Sequence, residues 1–158
     1  MKQLMKKVIL FACLVVLFSC KDDDSGPGYD FEDQDAMGEI DGKEWRYQDG
    51  YADVSNNEVR VTLMVAQDGE SGCDVFLAEG DQVFFTVPAE KGIYKLSLGA
   101  DSRTVTLLSD EEIPDNHIAS EGAVEIVSIS STDVKGKIDA RSSDDSFVNG
   151  DFRVLICK

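Results

Sequence analysis

The chain has 158 residues, of which 31 are acidic and 15 are basic, so its formal net charge is −16 at pH 7. A surface this acidic repels nucleic acid phosphates and anionic lipid headgroups, which excludes nucleic-acid binding as a function. The length suits one domain with one core after an N-terminal leader is set aside, and no internal repeat is visible.

The N-terminal segment has the pattern of a secretory signal. Lys2, Lys6 and Lys7 precede an apolar run from Val8 to Phe18. A membrane-spanning helix needs about 20 apolar residues, so this run is too short to span a membrane and suits the apolar region of a signal peptide. We predict a signal peptide over residues 1–19; the alternative is an uncleaved N-terminal anchor.

The end of this segment, Leu17-Phe18-Ser19-Cys20, resembles the cleavage box of bacterial lipoproteins. The resemblance implies cleavage before Cys20 and attachment of acyl chains such as palmitate to that cysteine. Two or three acyl chains hold a protein firmly on a membrane, whereas a single chain holds it marginally. Cleavage would remove three basic residues and no acidic one, leaving a net charge of −19. The membrane attachment must therefore come from lipid and not from a basic patch.

Four charged residues follow this cysteine: Lys21, Asp22, Asp23 and Asp24. They resemble the export signal of Bacteroidota lipoproteins, which directs those proteins to the outer face of the outer membrane. The resemblance implies an outer-membrane protein exposed at the cell surface; the alternative is a solvated acidic spacer. Because Gly, Pro and acidic residues dominate as far as Ala36, we predict a flexible acidic tether over residues 20–36.

From Met37 onward, short runs of alternating apolar and polar residues predict strands separated by turns. Asp41-Gly42 is a hairpin signal, and 59–65 and 73–78 are two of the predicted strands. The apolar phase slips between Ile126 and Val127, which indicates a β-bulge or burial on both faces. The whole pattern gives about nine or ten strands. Residues 37–158 are therefore predicted to form an all-β domain, either an antiparallel β-sandwich or a partly open barrel.

Two cysteines lie within this predicted domain, Cys73 and Cys157. Disulfides persist in the oxidising envelope of a bacterium with two membranes. A bridge would also pin the last strand, which ends beside the C-terminus where chains fray. We predict a Cys73–Cys157 disulfide; the alternative is two buried free thiols.

Three short motifs in the predicted domain resemble those of a known group of domains. They are Asp41-Gly42-Lys43-Glu44-Trp45, Gly92-Ile93-Tyr94-Lys95-Leu96 and Gly150-Asp151-Phe152-Arg153-Val154. Together they resemble small lipoprotein domains of unknown function from Bacteroidota. The resemblance implies a β-sandwich tethered to the outer membrane, and it carries over no activity and no catalytic residue.

Motifs for catalysis or metal binding are weak in this chain. The longest predicted loop, Ser109 to Ser120, holds the single histidine, His117, which we interpret as a solvated loop residue without triad partners. Acidic clusters such as 110–115 offer oxygen ligands for calcium, but none has the spacing of a calcium loop, so a solvated acidic face is favoured. We expect no cofactor, no metal and no catalytic residue.

Aromatic residues give the only candidate ligand platform. Trp45 and Tyr47 are two residues apart and would share one face of a strand, where exposed rings stack on sugars. The alternative is that Trp45 belongs to the core. We predict a surface-anchored, non-catalytic binding or accessory module whose partner is a glycan or a protein. The alternative function is a small envelope hydrolase that uses loop carboxylates.

Overall fold

The computed structural model describes residues 28–69, 71–75 and 77–158, which form ten β-strands and no helix. This confirms the predicted all-β class and the predicted number of strands. The signal peptide, Cys20 and the charged residues Lys21 to Asp24 lie outside the described residues. The strands are β1 (Met37–Ile40), β2 (Lys43–Arg46), β3 (Asp49–Ser55), β4 (Glu58–Met64), β5 (Gln82–Pro88), β6 (Gly92–Lys95), β7 (Val105–Ser109), β8 (Asp115–Ile129), β9 (Asp133–Ser142) and β10 (Phe147–Ile156).

Seven of these strands pair into a closed ring in the order β10, β3, β4, β5, β7, β8, β9, with β9 returning to β10. The β1–β2 hairpin extends from β10, and β6 extends from β8. All pairings between neighbours in the ring are antiparallel except one. β10 and β3 run parallel and pair only at Leu155↔Tyr51 and Ile156↔Ala52. This short seam closes the barrel, so ring closure depends on the last residues of the chain.

The core fills the inside of the ring because alternate residues of each strand point inward. In β4, Val59, Val61 and Leu63 are fully buried, and the neighbouring Arg60 is exposed. The rings of Phe85 and Phe152, on strands that are not neighbours, meet edge to face with centroids 5.7 Å apart. The period-2 patterns that predicted these strands therefore also identify the buried face.

Two predictions made for irregular segments were wrong. The loop expected from Ser109 to Ser120 is short, because β8 begins at Asp115 and pairs with β7. Polar side chains at the start of β8 obscure the alternation of apolar and polar residues there. The strand expected over 73–78 is absent from the described part of that segment, which forms turns. The bulge is confirmed, since the β8–β9 register shifts between Ile126 and Ser128.

The predicted flexible tether is also wrong over its described part. Residues 28–36 lie along the barrel and bond to β9 and β10. The main-chain N–H of Asp30 donates to Asp139 Oδ2 (2.9 Å), Asp151 N–H donates to the carbonyl of Gln34 (2.6 Å), and Ala36 N–H donates to the carbonyl of Asp151 (2.9 Å). The ordered domain therefore begins before the predicted boundary at residue 37, because main-chain hydrogen bonds and the buried Ala36 hold this acidic segment against the barrel.

Candidate functional site

Trp45 lies in the core and does not form an exposed platform. Only 2% of its surface is exposed, and its indole Nε1–H donates to the carbonyl of Asp81 (2.9 Å). The prediction that Trp45 and Tyr47 share an exposed stacking face is therefore wrong. The inward face of β2 buries Trp45, whereas Tyr47 follows the end of that strand and stays half-buried.

Tyr47 stands between two adjoining grooves on the outer surface. One groove has a volume of about 320 Å³ and runs over β9 and β10 between Tyr47 and Val127. The other, of about 300 Å³, lies between Tyr47 and Met37. The Tyr47 hydroxyl donates to the carbonyl of Arg153, and burial raises the pKa of the phenol above its ordinary value. The ring is thus fixed in one orientation, with both grooves open to solvent.

Paired charges line the larger groove. Lys137 Nζ lies 3.1 Å from Asp151 Oδ1, and Arg153 Nη2 lies 2.6 Å from Asp133 Oδ2. The hydrogen bond from Arg153 lowers the pKa of Asp133 below its ordinary value. Lys137 and Arg153 thus have carboxylate partners, Lys135 lines the groove without an ion pair among the described residues, and the groove presents both donors and acceptors beside an aromatic ring. That combination suits a polar ligand better than a highly charged one.

The interpretation of His117 as a solvated loop residue is wrong. It lies on β8 with 7% of its surface exposed, and its Nδ1 is 2.6 Å from Asp144 Oδ2. The hydrogen bond to Asp144 raises the pKa of His117. Hydrogen bonds from Ser142 and His117 lower the pKa of Asp144 to about 2.

The histidine of this serine, histidine and aspartate cluster is buried. His117 Nε2 is buried and has no hydrogen-bond partner among the described residues. His117 lines neither of the two grooves beside Tyr47. A general base must come within hydrogen-bond reach of a substrate proton. The cluster links β8 to the turn before β10. No local pattern of residues signals this cluster, because the contact joins residues 27 positions apart.

The two cysteines lie where the predicted disulfide requires them. Cys73 and Cys157 are at bonding distance, with Cα atoms 5.3 Å apart. Cys157 also donates its main-chain N–H to the carbonyl of Ala52 on β3 (2.9 Å). The bridge thus attaches the loop after β4 to the chain end that closes the ring.

The acidic residues considered for calcium are mostly engaged with protein groups. Asp74 accepts a hydrogen bond from the Ser71 hydroxyl, Asp110 accepts one from the Gly80 N–H, and Glu111 pairs with Lys43. Across residues 28–69, 71–75 and 77–158, no three or more His, Cys, Asp or Glu side chains are grouped so that they could hold a metal ion. The described chain also contains no helix long and apolar enough to cross a membrane.

Comparison of the chain with protein-family models, with curated proteins and with solved structures gave no match.

Proposed function

We propose that this protein is a lipoprotein, anchored through Cys20 to the outer membrane and exposed at the cell surface, with a non-catalytic binding module as its folded domain. Its support is the pattern of residues 1–24, in which a basic start and a short apolar run lead to Cys20 and then to an acidic triplet. We also propose that the closed ring of seven strands is flattened, so that the domain resembles a β-sandwich.

The observation that carries the binding role is the position of Tyr47 between two open grooves. A fixed aromatic ring with hydrogen-bonding groups on both sides can hold a glycan chain or an extended protein segment. Val127 adds an exposed apolar contact across the larger groove. An extended ligand that crossed both grooves would cover the Tyr47 ring at its centre.

The alternative, a hydrolase, has less support. Two carboxylates line the larger groove, Asp35 and Asp151, and their main chains pair with each other at a parallel bridge. A glycosidase needs one carboxyl group as a proton donor and a second on the far side of the scissile bond. Asp151 is already paired with Lys137, so its carboxylate is engaged with a protein cation.

The anchor is tested by protease shaving of intact cells that express the full chain. We expect digestion of the wild type, loss from the membrane fraction for Cys20→Ser, and protection when Asp22, Asp23 and Asp24 are all changed to Ala. Digestion of the wild type only after lysis would place the domain in the periplasm. Retention of the Cys20→Ser chain in the membrane would indicate an uncleaved anchor.

The binding role is tested by screening the purified full chain against arrayed glycans and extended peptides. Any ligand found should be lost with Tyr47→Ala and kept with Tyr51→Ala. Tyr51 is a suitable control because it is also half-buried and lies on β3, outside both grooves. Equal loss in the two variants would contradict the assignment to Tyr47.

A further inference from the structure

Arg60 and Arg103 face a separate groove on the opposite side of the ring. This groove has a volume of about 280 Å³ and lies over the outer faces of β4, β5 and β7, whereas the grooves beside Tyr47 involve β9, β10 and the β1–β2 hairpin. The two sites share no lining residue. Ligand binding here would therefore be independent of the proposed role of Tyr47.

Neither arginine forms an ion pair within the described residues, although Asp53 and Glu58 line an adjoining groove with Arg60. Within the described ranges, no Asp or Glu oxygen lies within 4.0 Å of the guanidinium nitrogens of Arg60 or Arg103. Asp53 is opposite Arg60 in the β3–β4 register, yet the two form no ion pair. In a chain with 31 acidic residues, two cations left without partners at one groove can attract an anion from solution.

Arg103 is held in place by its main chain and by an aromatic ring. Its N–H and carbonyl both bond to Ser97, at 3.0 and 2.8 Å. Its guanidinium carbon lies 5.2 Å from the centre of the Tyr94 ring, a cation–π distance. Because the side chain is positioned before any ligand arrives, little conformational entropy remains to be lost on binding.

Hydroxyl groups and two phenylalanines, Phe84 and the buried Phe85, complete the groove. Its other lining side chains include Thr86, Ser102, Thr104, Thr106 and Phe84. Thr86 pairs with Arg60 across β4 and β5, and Phe84 pairs with Thr106 across β5 and β7. The strand register thus places a cation, hydroxyls and a ring on one face of the sheet, in a partly exposed site.

We propose that this groove binds the carboxylate of an acidic sugar residue such as a uronic acid. The planar fork of Arg60 matches a carboxylate with two parallel hydrogen bonds, and Arg103, whose Nη1 also donates to the carbonyl of Lys95 (3.5 Å), offers its remaining N–H groups. Threonine and serine hydroxyls can exchange hydrogen bonds with sugar hydroxyls, and Phe84 offers an apolar face to the ring. The volume lies near the lower end of ligand pockets, about 300 Å³, which suits a single sugar unit.

A phosphate ligand is less well suited to the same arginines. A phosphate monoester carries close to two negative charges at pH 7, so the acidic surface repels it more than a monovalent carboxylate. Phosphate sites also use main-chain N–H groups at a helix N-terminus, and the described residues contain no helix.

The test is titration of the full chain with sodium glucuronate, read from the side-chain Nε–Hε resonances of Arg60 and Arg103 by NMR. Glucose is the neutral control, acetate is the carboxylate without a sugar, and inorganic phosphate is the competing anion. We expect shifts at both arginines with glucuronate, weaker binding of acetate and phosphate, and no shift with glucose. Arg60→Ala and Arg103→Ala should each weaken glucuronate binding about tenfold or more, because each removes charge-assisted hydrogen bonds.

Two further variants separate recognition from charge and from folding. Arg60→Lys keeps the charge but lacks the planar fork, so we expect weaker binding with an unchanged fold. Lys91→Ala removes one positive charge at an exposed site outside the groove, and should bind as the wild type does. The proposal would be overturned if Lys91→Ala weakened glucuronate binding as much as the arginine variants do, or if neither arginine shifted. It would also be overturned if phosphate bound more tightly than glucuronate, or if acetate bound equally well.

Discussion

The imidazole of His117 and the carboxylate of Asp144 connect β8 to the turn between β9 and β10, with 2.6 Å between Nδ1 and Oδ2. Asp144 also accepts a hydrogen bond from the Ser142 hydroxyl. The Ser142 hydroxyl oxygen accepts the N–H of Ser146 (3.1 Å), and the hydroxyl oxygen of Ser146 accepts the N–H of Asp41 (3.1 Å). One titratable pair therefore belongs to a network that joins β8, the β9–β10 turn and the β1–β2 turn.

This pair should make stability depend on pH in two opposite ways. The folded-state pKa of His117 is raised above 6.5, so its stabilisation is complete below 6.5 and is lost as the pH rises through the raised value. The pKa of Asp144 is lowered from 3.8 to about 2, so its stabilisation is present above 3.8 and is lost as the pH falls toward 2. The contribution of the pair should be largest between about pH 4 and 6.5.

The measurement is urea unfolding of the wild type and Asp144→Asn at a series of pH values from about 2 to 9. The difference in free energy of unfolding should form a maximum in that window. Asp145→Asn is the matched control because Asp145 is the adjacent exposed residue. Its φ of 68° is one that Asn tolerates well. A pH-independent difference for Asp144→Asn would contradict a charged His117–Asp144 pair.

Sequence reasoning found the strands whose side chains alternate and missed contacts that depend on how strands come together. Val59, Val61 and Leu63 could be assigned to the core because period-2 burial is a local property. His117 could not, because the start of β8 is polar and its partner Asp144 approaches only through the β8–β9 register. The hydrogen bond from the Asp30 N–H to Asp139 could not be predicted either, because an acidic segment has no apolar pattern that indicates burial.

Gly136 is required by the close packing of β9 against its neighbours. A Cβ atom at this position would lie 2.3 Å from the carbonyl oxygen of Glu125 and 2.4 Å from the ring of Phe152. Gly136→Ala should lower the free energy of unfolding by about 1–3 kcal/mol, because either the main chain or a core ring must move. Gly92→Ala on β6 is the control, since its nearest atoms are 3.6 Å away. Equal effects in urea unfolding would contradict this account.

Trp45 provides a direct optical test because it is the only tryptophan in the chain. Its burial predicts blue-shifted emission and little quenching by acrylamide in the native protein, with both properties lost on unfolding. Trp45→Phe should cost about 1–3 kcal/mol, because the carbonyl of Asp81 loses its donor inside the fold. Quenching of native Trp45 as strong as that in unfolded protein would place the ring at the surface and restore the stacking platform with Tyr47.

The Cys73–Cys157 disulfide should stabilise the seam that closes the ring. The bridge joins residues 84 positions apart, and loss of a native disulfide from a small domain costs about 2–5 kcal/mol. The parallel β3–β10 pairing has only two residue pairs, so the seam has few other contacts to hold it. The double variant Cys73→Ser with Cys157→Ser should therefore lose stability and show faster hydrogen exchange at the amide of residue 157, which donates to the carbonyl of Ala52 across the seam. The amides of Val61 and Phe85, in the antiparallel β4–β5 pair, should change far less at low denaturant.

Reduction of the wild type should reproduce both effects, and the double variant should not respond to reductant. Uniform acceleration of exchange across the barrel would show that the bridge supports the whole fold and not the seam.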